Sequence, residues 1–130
     1  MARTVQDLVA EARGRIEEIA PDQLAAQEDC VLIDVRELAE YAQGHLPGAI
    51  NLPRGVLEFQ IHAHPAMACT TSEALAVADR ELVLYCLTGG RSALAADSLQ
   101  ALGFTRVRSL AGGLTAWRNA DLPLTTESAS

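Results

Sequence analysis

Three cysteines, three histidines and seventeen carboxylates are the side chains available for nucleophilic, acid–base or metal chemistry, and one cysteine has a setting built for it. Cys86 ends the apolar run Leu82-Val83-Leu84-Tyr85 and is followed by Leu87-Thr88-Gly89-Gly90-Arg91-Ser92. A buried strand thus delivers a thiol to its carboxyl end, a two-glycine loop follows, and a helix then begins. Ligands in open α/β sheets bind at that end of the strands. Gly89 and Gly90 can take the positive backbone angles that turn successive N–H groups inward as a nest. The helix start adds unpaired donors and about half a positive charge, and Arg91 adds a full one. A sulfur ringed by Leu87, Thr88, Gly89, Gly90, Arg91 and Ser92 is expected to be an anion, with a thiol pKa below the free value of about 8.5. The same donors suit a persulfide anion. No general base is visible, and a thiolate already formed needs none.

The other chemically capable residues have plainer readings beside their functional ones. Asp34 and Arg36 end a second apolar run, Val31-Leu32-Ile33, and suit either substrate contact or an internal ion pair that braces the loop. His45 precedes the turn Leu46-Pro47-Gly48 and has no visible partner as a base, so a structural hydrogen bond is expected. Gly112 and Gly113 suit a second anion nest or, more simply, close packing at a tight turn. Trp117 is expected in the core. His62, His64 and Cys69 fit no zinc-ligand spacing and lack a fourth ligand, so no metal is expected. Cys69 is a candidate resolving thiol for an intermediate on Cys86, and Cys30, opening a buried strand, is expected to be inert.

The elements that position these residues alternate. Val5, Leu8, Val9 and Ala12 recur at helical spacing, with Gly14 as the stop, and Ile16 to Ile19 reads as a short strand. Pro21 opens a helix at its first turn, where its missing N–H costs nothing. The runs at Val31 and Leu82 are unbroken rather than alternating, as in strands buried on both faces of a parallel sheet. Arg91 to Leu102 is helical with Gly103 as its stop; Val107 starts a strand and Leu114 to Ala120 a helix. Strand–helix alternation at this pitch predicts an α/β fold with a mainly parallel sheet. The segment Arg54 to Thr71 is hard to read: Val56, Leu57, Phe59 and Ile61 suit one helical turn or two, and His62-Ala63-His64-Pro65 a loop.

At 130 residues, 49% hydrophobic and 21% charged, the chain has room for one domain with one core. The expected division is a helical extension over 1–14, the domain over 15–124, and a frayed polar tail over 125–130. Net charge is −7 and all ten basic residues are arginines, which excludes a lysine nucleophile and argues against nucleic acid or an anionic membrane as partner. No apolar run reaches the roughly 20 residues of a membrane helix, and the first residues lack the features of a signal peptide. The expected placement is cytoplasmic, with all three cysteines reduced.

Three ordered pieces of the sequence resemble the single-domain rhodaneses, the thiosulfate sulfurtransferase family. The first is Leu32-Ile33-Asp34-Val35-Arg36-Glu37, leading to Glu40-Tyr41 and Gly44-His45-Leu46-Pro47-Gly48-Ala49-Ile50-Asn51; the second is Cys86 to Ser92; the third is Gly112-Gly113-Leu114-Thr115-Ala116-Trp117. Together they span about Ile16 to Leu122. The resemblance implies a five-stranded, mainly parallel sheet flanked by helices on both faces, to which the helical extension over 1–14 is an addition. It also implies that Cys86 becomes a persulfide, that Asp34 and Arg36 brace the site, and that no cofactor is needed. Thiosulfate or a persulfide would be the donor, and cyanide or a thiol, including a protein thiol, the acceptor. Related cysteine phosphatases and arsenate reductases place five residues between cysteine and arginine; here four separate Cys86 from Arg91. The smaller ring crowds a tetrahedral oxyanion and suits a sulfur. The rival expectations are such a phosphatase or reductase, a non-catalytic binding module on the same fold, and peroxide sensing by Cys86.

Overall fold

Val31–Asp34 (β2) and Leu82–Tyr85 (β4) lie side by side and parallel because each must bury both of its faces. In β4, Leu82 and Leu84 enter one core cluster while Val83 and Tyr85 enter the other, and all four are fully buried. The computed structural model describes residues 3–27, 30–61 and 81–127. Within them the sheet has five strands, all parallel, in the order β1-β5-β4-β2-β3, with β1 at Glu17–Ile19, β3 at Ile50–Asn51 and β5 at Val107–Leu110.

Helices cover both faces. On one side lie Leu57–Gln60 (α4), entered through a 3-10 turn at Arg54–Val56, and Gly90–Ala101 (α5), whose Ala95, Ala96 and Leu99 pack on Ile33, Leu82 and Leu84. On the other lie Pro21–Ala25 (α2), Leu38–Gln43 (α3) and Gly113–Asn119 (α6), which bring Leu24, Tyr41, Leu114 and Trp117 onto Val83, Tyr85 and Leu110. The chain leaves β2 toward β3 over the second face and leaves β4 toward β5 over the first. The carboxyl ends of β2 and β4 therefore flank a topological switch point, where a crevice opens above the sheet.

Val5–Arg15 (α1) lies outside this layering and packs along α5. It starts with a capping box between Thr4 and Asp7 and runs one residue past Gly14, ending where Ile16 turns extended and joins the core. A bidentate contact from Arg15 to Asp97 at 2.9 and 2.7 Å clamps its end to α5. At the other terminus the expected fraying does not begin at Thr125: that residue exchanges backbone hydrogen bonds with His45 at 2.9 and 2.8 Å. No helix among the described residues is long and apolar enough to cross a membrane.

Candidate active site

Cys86 follows the last residue of β4, at the switch point, and only 1% of its surface is exposed. The turn after it is made by Gly89, whose φ of +104° lies in the region that favours glycine. Gly90 was expected to share that role and does not: it enters α5 as its first residue, and Gly89 alone carries the positive angle in the loop. The turn aims N–H groups at the sulfur. Gly89 N–H donates to Sγ at 3.1 Å and Ser92 N–H at 3.4 Å, and the Ser92 hydroxyl stands 3.6 Å away. Burial pushes the thiol up, but the Ser92 amide and hydroxyl, with the Gly89 and Thr88 amides, outweigh it and hold the thiol below its ordinary value.

The loop carbonyls face the other way because a second helix start takes them. Leu114 N–H donates to the Cys86 carbonyl at 2.8 Å and Thr115 N–H to the Leu87 carbonyl at 3.0 Å. These are donors that the first turn of α6 would otherwise leave unpaired. Gly113 permits the approach: a Cβ there would stand 2.5 Å from the Cys86 carbonyl oxygen and 2.7 Å from the Leu87 backbone. Of the two readings of the glycine pair, close packing is the one observed. With carbonyls pinned outward, the amides of Thr88, Gly89 and Ser92 are left to face the sulfur.

Arg91 does not present an unshared charge. Its two terminal nitrogens bind the Glu40 carboxylate at 2.9 and 3.1 Å, and this bidentate contact holds Glu40 down at about 2. The same hydrogen bonds raise the Arg91 guanidinium above its ordinary value. The pair is ionised throughout the working pH range and closes one side of the site. Leu87 and Thr88 are exposed at the loop's crest, so they contribute backbone rather than a side-chain cradle.

Asp34 and Arg36 form the internal bracket that was one of their two expected roles. Arg36 donates to the Asp34 carboxylate through Nε at 3.0 Å and Nη2 at 2.7 Å, and from Nη2 to the Gly44 carbonyl at 2.7 Å. Both residues are buried, and the guanidinium lies 5.8 Å over the Tyr85 ring. Burial beside Asp34 pushes the Tyr85 phenol up, and its oxygen accepts from Leu46 N–H at 3.0 Å. The residue before Cys86 is thereby fixed.

His45 is fully buried between carbonyls, with Nδ1 2.8 Å from that of Tyr41 and Nε2 2.7 Å from that of Glu127, and it stacks on the Tyr41 ring. This is the structural role expected of it. Trp117 is in the core, donating to the Pro123 carbonyl at 2.8 Å. Cys30 lies half-buried at the start of β2. No cluster of metal-ligating residues is found among the described residues; His62, His64 and Cys69 lie outside them.

Sequence reasoning gave no role to Glu40, Ser109 or Arg13. Ser109, buried on β5, shares a 2.8 Å hydrogen bond with the Ser92 hydroxyl and so orients it. Arg13 places Nη2 beside Gly89, and nothing in a helical repeat announces that reach.

A sequence-family model of the rhodanese-like domain matches residues 20–120. A sulfurtransferase of Allochromatium vinosum is 37% identical over 101 residues, covering 78% of this chain and 83% of its own. A human thiosulfate:glutathione sulfurtransferase is 36% identical, covering 66% of this chain and 76% of its own. Among solved structures, a Rhodopseudomonas palustris protein of unknown function, described as a possible tyrosine phosphatase, superposes with a TM-score of 0.79 at 31% identity, covering 96% of both chains. With matched sequence reaching from α2 through α6 and a five-stranded parallel sheet beneath the cysteine loop, this chain belongs to the rhodanese-like domain family.

Proposed function

We propose that the chain is a sulfurtransferase that carries a sulfane sulfur as a persulfide on Cys86, taking it from thiosulfate or a related donor and passing it to a thiol. The observation that carries this reading is the convergence of the Gly89 and Ser92 amides on Sγ, at 3.1 and 3.4 Å, around a buried thiol held below its ordinary pKa. Sulfurtransferases among the relatives support the class of reaction. The human relative's name pairs thiosulfate with a small thiol, which supports that donor and acceptor as the first to test.

In the first step the Cys86 thiolate attacks the outer sulfur of thiosulfate. A bond forms between the two sulfurs, the S–S bond of thiosulfate breaks, and sulfite leaves with the electron pair. The amides that held the thiolate then face the persulfide. In the second step an acceptor thiolate attacks the outer sulfur, and the bond to Sγ breaks with its electron pair returning to Cys86. No cofactor enters, and the reaction belongs in a reducing, cytoplasmic setting where the acceptor stays a thiol.

The test is intact mass of the reduced protein after incubation with thiosulfate, beside Cys86→Ser. Gain of one sulfur atom, reversed by cyanide and absent in the variant, is the expected result. No gain with thiosulfate or polysulfide would overturn the reading. Turnover of a chromogenic phosphate ester in its place would favour the phosphatase class named for the Rhodopseudomonas relative.

A further inference from the structure

The family match begins at residue 20, yet the wall that faces Cys86 across the open side of the site is built by α1, at residues 5–15. A cavity of about 420 Å³ lies between them, with Cys86 and Arg91 on its floor and Val5, Val9 and Arg13 from α1 on its opposite side. Val9 comes within 3.7 Å of where a Gly90 Cβ would stand, and Arg13 Nη2 within 3.3 Å of the corresponding point at Gly89. The wall is fixed in place by fully buried Ala12 and by the Arg15–Asp97 clamp.

Two cations border this cavity, and they differ in how far they are neutralised. Arg91 is in bidentate contact with Glu40. Arg13 makes one ion pair among the described residues, from Nε to Glu18 at 3.8 Å, beyond hydrogen-bonding distance, with its side chain 44% exposed. Its Nη2 is turned instead to the cysteine loop. The cavity's volume falls within the range of about 300–1,000 Å³ typical of small-molecule sites, and it offers valine surface that a thiosulfate ion has no use for.

We infer that Arg13 is a specificity-determining residue for the second half-reaction, selecting a low-molecular-weight thiol that carries a carboxylate. The inference rests on the function proposed above. The acceptor's carboxylate pairs with Arg13, its carbon skeleton lies along Val5 and Val9, and its sulfur reaches the persulfide on Cys86. The acceptor thiolate bonds to the outer sulfur, the bond to Sγ breaks, and Cys86 regains its thiolate, with no net oxidation or reduction. Arg13 takes no part in bond making; it positions the acceptor.

The test separates the half-reactions. Protein is loaded to completion with polysulfide, freed of excess, and mixed with 3-mercaptopropionate or with its neutral amide, while loss of the persulfide is followed by intact mass. Wild type should react about 3- to 5-fold faster per mole with the carboxylate than with the amide, as a partly exposed charge pair allows. Arg13→Gln should bring that ratio to within about twofold of unity and Arg13→Lys should restore most of it, with high salt compressing the wild-type preference. An unchanged ratio in Arg13→Gln, with loading intact, overturns this inference and leaves the sulfurtransferase standing. Failure of the wild type to load at all overturns both.

Discussion

Replacing Gly113 by alanine should disable Cys86 from 27 positions away in the sequence, and the size of the effect follows from the geometry. The new Cβ would meet the Cys86 carbonyl oxygen at 2.5 Å and the Leu87 backbone at 2.7 Å, roughly 0.7–0.9 Å inside ordinary contact. All of these neighbours are backbone, so no side chain can swing aside. The φ of +60° adds about 1–2 kcal/mol for any residue with a Cβ. Relief requires the loop to lift from α6, which loosens the Leu114 and Thr115 hydrogen bonds and turns the amides off the sulfur. We expect a loss of about 2–4 kcal/mol in stability, a melting temperature lower by roughly 6–15 °C, and a fall of about tenfold in alkylation of Cys86 near neutral pH. The last figure is one charge-assisted hydrogen bond of about 1.4 kcal/mol. Gly103→Ala is the control, because Gly103 also has a positive φ (+105°) but open space around its Cβ position. It should lose stability while keeping the thiol's reactivity. Equal alkylation rates in the two folded variants, measured with iodoacetamide below both melting points, would refute the idea that α6 holds the cradle in shape.

Two further outcomes follow from the hydrogen bonds already described. Alkylation of Cys86 should rise with pH and level off below the ordinary thiol range, and Ser92→Ala, which keeps the backbone donor but removes the hydroxyl at 3.6 Å, should move that curve to higher pH; an unmoved curve would show that the hydroxyl does not act on the sulfur. By linkage, a native thiol held below its unfolded value stabilises the fold fully above about pH 8.5 and loses that contribution as pH falls through the native midpoint, so the stability gap to Cys86→Ser should widen with rising pH. Asp34→Asn leaves the buried Arg36 cation without its counter-charge and should cost about 3–5 kcal/mol by denaturant unfolding; a cost under about 1 kcal/mol would mean that water reaches the pair.

What the sequence made legible was local. The two unbroken apolar runs, the glycine turn after Cys86 and the helix that follows it are each written in adjacent residues, and each was found where expected. Strand β3 is two residues long and exists only because β2 offers an edge to pair with, so no periodicity could announce it. The stretch from Arg54 splits into a 3-10 turn and a four-residue helix, too short for a helical stripe to form; Leu57 and Ile61 are buried there while Phe59 is exposed. Contacts across the chain were invisible for the same reason. Glu40 meets Arg91 across 51 positions, and the backbone of Thr125 pairs with that of His45 across 80. The glycine pair at 112–113 suits close packing at a tight turn, but its neighbour, the cysteine loop, is known only once β5 lies beside β4.

The anchoring of the loop carbonyls by α6 also sets an order of events when the chain folds. Gly89 and Ser92 are within six residues of Cys86, so the half of the cradle that donates to sulfur closes a short loop, on the fast timescale of local contacts. The half that holds the carbonyls must wait for a parallel strand and its crossover helix to dock, which is slow because long-range pairing carries loop-closure entropy before it is rewarded. The thiol of a refolding chain should therefore sharpen in two phases, and the second should keep time with formation of the β4–β5 pair. Pulse alkylation during refolding would turn the Cys86 thiol into a clock for its own scaffold.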